Sequence, residues 1–176
     1  SCAEAIGEID TYISFAIAAL EHRFVRPKFN SEGLMQIADA RHPIVETYYT
    51  KEVFIPNDIF LDTKNNIIKI ITGPNMSGKS TYIRTAAIVQ LMSQIGSFIP
   101  AREANISLAD RIFTRIGASD NISMGESTFL VEMAEAAIIL NNATSDSLVI
   151  MDEVGRGTST YDGLAIAWAV VEYLAR

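Results

Sequence analysis

The ten residues "GPNMSGKSTY" (73–82) follow the apolar run "NIIKIIT" (66–72) without a spacer. No other junction in the chain restricts the fold as much. Gly73, Gly78, Lys79 and Ser80 satisfy the pattern G-x-x-x-x-G-K-S/T. Glycines at these places let main-chain N–H groups curl around phosphate oxygens. A helix beginning near Lys79 would turn unpaired N–H groups and a positive dipole end toward the same oxygens. In that pattern Lys79 reaches the β- and γ-phosphates, Ser80 ligates Mg²⁺, and Thr81 can add a hydroxyl at an α-phosphate. The alternative is a chance match in a glycine-containing turn. The context favours the nucleotide reading, because "NIIKIIT" has the β-branched, two-sided apolar character of a central buried strand. A helical pattern follows, with Ile83, Ala87, Leu91 and Ile95 in register before Gly96.

A second apolar run, "SLVIMDE" (147–153), is expected to be a strand of the same sheet. It would carry Asp152 to the phosphate site to hold Mg²⁺ through water, with Glu153 next to it to accept a proton from an attacking water. A solvated acidic strand end is the plainer alternative. It loses ground once the phosphate loop is present in the same chain. "GRGTSTYDG" (155–163) follows as a tight loop; Ser159 or Thr160 is suited to cap the last helix, and a subunit contact is compatible with that role.

The remaining pattern completes an α/β outline. Ile6, Ile9, Ile13, Ile17 and Leu20 form a helical stripe, and "FVRPKFNSEG" (24–33) is expected to be a connector. Residues 34–46 suggest a strand stopped before Pro43, and 52–62 an extended segment broken at Pro56-Asn57-Asp58. Residues 97–117 suggest two or three short strands with a break at Pro100. In 126–143 a helix is expected with Phe129, Met133, Ala137 and Leu140 on one face and Glu132 and Glu135 off it. The last helix has Leu164, Trp168 and Val171 in register. Alternating strands and helices of this kind imply a sheet with helices on its faces.

Composition narrows the function classes. The 176 residues are 49% hydrophobic and 20% charged, which excludes a disordered chain. A net charge of −7 with scattered basic residues argues against a nucleic-acid-binding face within this segment. The one cysteine, Cys2, permits no internal disulfide and suits a reducing compartment. No apolar run approaches bilayer-spanning length, so no membrane is expected as a partner. Both ends interrupt helical patterns, which suggests a piece of a larger protein.

Taken together, several stretches resemble the ATPase domain of the MutS DNA mismatch-repair family: "TGPNMSGKSTYIR", "IGSFIPA", "IFTRIGASDNISMGESTFLVEM", "NATSDSLVIMDEVGRGTSTYDGLAIAWA" and "ARHPIVE". The resemblance covers nearly the whole chain. It implies a P-loop NTPase of the ABC-like ATPase class, a mixed sheet flanked by helices, and ATP/ADP with Mg²⁺ as cofactors. Residues 1–30 would be helix and connector from the preceding core/lever region, and 31–176 the ATPase domain, truncated at its C-terminus. The cofactor-binding set implied is Gly73, Pro74, Asn75, Met76, Ser77, Gly78, Lys79, Ser80 and Thr81, with Asn75 as a γ-phosphate sensor. Phe54 would stack on adenine beside the Ile55 main chain; the residue pattern alone would place Phe54 in the core. Ser127, and Thr128 beside it, would reach in trans to a partner's γ-phosphate, whereas the pattern alone suggests Ser127 as a helix cap. Ser80 and Asp152 would be the metal ligands, and Glu153 and Lys79 the catalytic residues.

Ser77 departs from the glycine that MutS proteins often carry there, and His42 and His22 receive no role. A switch histidine and a helical dimerisation segment that the family carries further on would lie beyond Arg176. The implied partners are a second MutS-family subunit, mismatched duplex DNA through other domains, and a repair factor of the MutL type. The location would be the bacterial cytoplasm, or the nucleus in a eukaryote. A paralogue acting on recombination intermediates and a non-catalytic nucleotide-binding fragment are the competing readings. A generic ABC transporter subunit fits less well, since "MGESTF" stands where "LSGGQ" is expected.

Overall fold

The computed structural model of the chain describes residues 1–48, 53–117 and 128–175. Two compact units are present: Ser1–Asn66 with Ile71–Leu108, and Ile67–Ile70 with Ala109–Arg176.

The first unit begins with α1 (Cys2–Glu21). Ser1 caps it, its Oγ accepting from the Glu4 N–H while Glu4 reaches back to the chain start, a reciprocal capping box. No residue of α1 is buried, and its stripe of Ile6, Ile9, Ile13 and Ile17 is exposed. Arg41 grips its far end, Nη2 donating to the carbonyls of His22 and Arg23 at 3.1 Å each.

A four-stranded mixed sheet forms the body of this unit, in the order β1 (Lys28–Asn30), β4 (Glu103–Ser107), β2 (Leu34–Ala40), β3 (Asn57–Asp62). β2 runs antiparallel to both neighbours, while β1 runs parallel to β4. The expected connector at 24–33 therefore contains an edge strand; Pro27 sits just before it, where a missing N–H costs no ladder bond. β2 slips register between Ile37 and Ala40. The irregularity centres on Asp39, at φ +52°, whose N–H is taken by Asp58 and whose carboxylate pairs with Arg102 at 2.6 Å. Pro43 does stop the strand, but it also begins a short helix, α2 (Pro43–Tyr48), since its fixed φ suits a first helical position. His42 caps that helix: its Nδ1 accepts the Val45 N–H at 3.3 Å. Burial, reinforced by the Arg84 guanidinium, lowers the His42 pKa below its ordinary 6.5.

Ile37, Ile59, Val89, Ile99 and Ile106 make the core of this unit, each no more than 2% exposed. Burial of each such side chain contributes about 1.5–3 kcal/mol. Val89 comes from α3 (Lys79–Gln94), which packs on β2. The buried face of α3 is Thr85, Ala86, Val89, Gln90 and Ser93, not the expected stripe of Ile83, Ala87, Leu91 and Ile95. Local bonds make a polar face affordable here: Thr85 donates to Thr81 O, Ser93 to Gln90 O, and Gln90 to Ser107 O. α3 ends in a Schellman turn, with Gly96 N donating to Ser93 O and Ser97 N to Met92 O.

The run at 66–72 is the main correction to the expected fold. Among the described residues it joins no ladder, and Ile67 and Ile70 are 48% and 72% exposed. Apolar β-branched side chains fit a pleated surface, but a strand requires a neighbour's N–H and C=O groups. Just upstream, Asp62 Oδ1 accepts the N–H groups of Lys64, Asn65 and Asn66 at 2.6–2.9 Å and turns the chain out of the sheet.

In the second unit, β5 (Ile112–Arg115) and β6 (Leu148–Met151) form a parallel pair, and α4 (Thr128–Asn142) packs on β5 and on α5 (Thr160–Leu174). β6 fulfils the expectation for "SLVIMDE" as a strand, though its partner is β5. The buried face of α4 is Glu132, Ala136 and Ile139, so Glu132 lies inside and not off the face as expected. Its partners, described below, make that burial tolerable. On α5 the buried residues are Gly163 and Val170, while Leu164 and Trp168 are 63% and 66% exposed. The helix is rolled because Gly163 meets the Gly155 backbone directly. Among the described residues no helix is long and apolar enough to cross a membrane.

Candidate nucleotide site

The glycine-rich loop lies in the first unit and ends where α3 begins at Lys79. Gly78 is the capping residue, at φ +88° and ψ 8°, and no side chain caps the helix. Only glycine takes that left-handed position at low cost, and its lack of a side chain leaves the helix-start N–H groups open to an outside acceptor. Met76, at φ +62°, is the second left-handed residue of the loop and is fully exposed. Alternation of this kind bends successive N–H groups toward one concavity, suited to an anion. Lys79 folds over the loop, its Nζ donating to the carbonyls of Gly73 at 2.7 Å and Pro74 at 2.6 Å. A Cβ on Gly73 would come within 3.2 Å of Ser77 Oγ, so the two ends of the loop approach closely. Asn75 is exposed; Ser80 and Thr81 are half-buried in the first turn of α3.

Phe54 is half-buried and Ile55 is 78% exposed, so Phe54 is not the core residue its pattern alone suggested. Tyr82 Oη donates to Asp58 O at 2.9 Å, which joins the segment after Phe54 to the first turns of α3.

The acid pair lies in the second unit. Asp152 extends β6 by one further bond, its N–H donating to Arg115 O at 2.8 Å, and its side chain is half-buried. Glu153 is at φ +53°, a left-handed position uncommon for a residue with a side chain. Its carboxylate pairs with Arg156 at 2.5 Å and lies within 3.5 Å of where a Cβ on Gly117 would be. Ser159 is the cap of α5, accepting from the Asp162 N–H at 3.3 Å. Gly155 and Gly157 are required by close packing. A Cβ on Gly155 would sit 2.6 Å from Gly163 Cα, and one on Gly157 would sit 3.1 Å from Phe129 Cα at the start of α4.

Glu132 is the site-adjacent residue that the sequence pattern missed. Its Oε1 accepts the Gly155 N–H at 2.6 Å, and its Oε2 faces Arg115 Nη2 at 3.9 Å. Arg115 also pairs with Glu135, Nε to Oε2 at 2.8 Å. The spacing 129, 132, 136, 139 is a clean helical face and could have placed Glu132 inside. Its charge argued the other way. Ser127 lies outside the described residues; Thr128 is the first residue of α4.

The donor set fits a magnesium nucleotide. Among the described residues no group of three His, Cys, Asp or Glu could form a protein cage for a metal. Mg²⁺ needs none, because it is held by one or two protein oxygens together with phosphates and water. A hydroxyl at Ser80 behind an uncapped helix start supplies that kind of site.

These features define an α/β protein built on a mixed sheet, with a glycine-rich loop that opens a helix. A family model described as MutS domain V matches residues 69–176. The chain belongs to the MutS family. It is 58% identical over 172 residues to a protein of Alkaliphilus metalliredigens named DNA mismatch repair protein MutS, covering 98% of this chain and 20% of that relative. Proteins of the same name in Clostridioides difficile and Lachnoclostridium phytofermentans are 55% and 54% identical, over 99% and 98% of this chain and 18% and 19% of theirs. The chain thus spans about a fifth of the length of these relatives.

Proposed function

We propose that this chain is the ATPase domain of a bacterial DNA mismatch-repair protein, hydrolysing ATP to ADP and phosphate. The observation that carries the reading is the uncapped start of α3 at Gly78–Lys79–Ser80, in a chain of this family. Residues 1–30 serve as a helix and connector from a core/lever region, and 31–176 as an ATPase domain of the P-loop, ABC-like class. Lys79, Ser80, Thr81 and the N–H groups of residues 73–78 hold the phosphates, with Asn75 at the γ-phosphate and Phe54 and Ile55 at adenine. Ser80 and Asp152 would hold Mg²⁺, which would supply neutralisation of the phosphate charge. Glu153 takes the proton of the attacking water. Ser127 of a second copy completes the site in trans, so that ATP closes a dimer.

Closure controls a DNA clamp formed by other parts of the whole protein, and a MutL-type factor responds downstream. Linkage makes the effect reciprocal, with DNA state changing nucleotide affinity. The names of the relatives favour repair over recombination, and the cytoplasm is the corresponding location.

The test uses the full-length protein. Glu153→Ala abolishes phosphate release while ATP binding persists, and Lys79→Ala weakens binding itself by at least about tenfold, as loss of a charge-assisted contact should. Undiminished turnover in Glu153→Ala removes the role given to that residue. Unchanged affinity in Lys79→Ala, measured by calorimetry, removes the loop assignment.

A further inference from the structure

One residue of β5 frames both ends of the turn after β6. Arg115 O takes the Asp152 N–H at 2.8 Å. The Arg115 guanidinium faces Glu132, and Glu132 takes the Gly155 N–H at 2.6 Å. The Arg115 and Glu132 side chains are only 7% and 4% exposed. A buried ion pair is poor value as a stabiliser, since apolar residues of the same volume often serve as well or better. What fixes a hydrogen-bond geometry here is the two bonds to the main chain, Arg115 O accepting the Asp152 N–H and Glu132 Oε1 accepting the Gly155 N–H. That geometry is the main chain of residues 152–155, which includes Glu153 at φ +53°. A left-handed residue with a side chain is strained and persists only where its surroundings determine it. The Glu153 side chain is 43% exposed and its ion-pair partner, Arg156, is itself 78% exposed, so the backbone beneath sets where the carboxylate starts from.

We propose that Glu132 is the positioning residue for Glu153. Through the Gly155 N–H it sets the turn that aims the Glu153 carboxylate. Because Glu132 stands on α4, and Phe129 of the same helix packs on Gly157, the aim of Glu153 follows the placement of α4. Displacing α4 by a fraction of an ångström lengthens the Glu132–Gly155 bond and lets the strained turn relax. The inference rests on the hydrolytic role proposed for Glu153.

The test is steady-state ATP hydrolysis by the full-length protein, with melting temperature and ADP affinity measured alongside. Arg115→Leu/Glu132→Leu removes both buried charges together and removes the acceptor for Gly155, whose buried N–H is then left unpaired. It is expected to fold, to bind ADP as the parent does, and to lose kcat by about tenfold or more with KM changed less than about twofold, the pattern of an interaction made only in the transition state. Glu132→Gln keeps an oxygen for the Gly155 N–H and should retain most of the turnover that Glu132→Ala loses. Parental kcat in a folded double variant overturns the proposal. So does equal turnover in Glu132→Gln and Glu132→Ala, a comparison that stands even where the double variant does not fold. Parental turnover in Glu153→Ala overturns the hydrolytic role itself and is read separately.

Discussion

Tyr82 Oη donates to the main-chain carbonyl of Asp58 at 2.9 Å, tying the first turns of the helix behind the glycine-rich loop to the start of β3. Phe54 and Ile55 lie a few residues upstream of that carbonyl, so the bond fixes the spacing between the proposed adenine and phosphate contacts.

Tyr82→Phe should therefore separate the two ends of the nucleotide. Stability should fall by about 1 kcal/mol, the usual net worth of one hydrogen bond. ATP affinity should fall about threefold, or about 0.6 kcal/mol, while affinity for tripolyphosphate stays unchanged. Calorimetric titration with the two ligands checks it, and an equal loss for both would rule out the spacing role.

His42 should give the folded chain a pH dependence of definite sign. Burial and Arg84 lower its folded pKa beneath 6.5, so between the two values the unfolded chain binds more protons than the folded one. Stability from this group is complete above 6.5 and is lost as pH falls toward the folded pKa. Protonation would also remove the Nδ1 lone pair that takes the Val45 N–H. His42→Asn keeps a cap acceptor without a titrating group. Its urea midpoint should be flatter between about pH 5 and 7 than that of the parent. A parallel dependence in both proteins would exclude His42 as the source.

Gly155→Ala should be costly for two reasons at once. The backbone is at φ +82°, and the added methyl would meet Gly163 Cα at 2.6 Å. Loss of stability should be about 3 kcal/mol, combining left-handed strain with overpacking. Thermal unfolding reads it directly. A change under about 0.5 kcal/mol, the size expected at an unconstrained surface site, would show that the two backbones separate freely.

The readable parts of the chain were those whose chemistry is local. The glycine-rich loop, the helix start at Lys79 and the Ser159 cap depend on neighbours within a few residues. What misled depended on partners far away in sequence. "NIIKIIT" has the composition of a central strand, yet the turn made by Asp62 carries it past the ladder. Leu164 and Trp168 carry the apolar signal of α5, yet contact between Gly155 and Gly163 decides which face turns inward. Glu132 was placed outside by its charge and is inside because Arg115 and the Gly155 N–H are there to meet it. Phe54 has the pattern of a core residue but is only half-buried.

The uncovered helix α1 has a mechanical consequence. Twenty residues of α-helix make a rod of about 30 Å, and no side chain along it is buried. Its foot is held by the Arg41 guanidinium at His22 and Arg23, and Arg41 in turn is paired with Glu46 at 2.8 Å. Such a rod magnifies small rotations. A tilt of about 10° at the Arg41 grip sweeps the Cys2 end through about 5 Å, whereas the grip itself need shift by only a few tenths of an ångström.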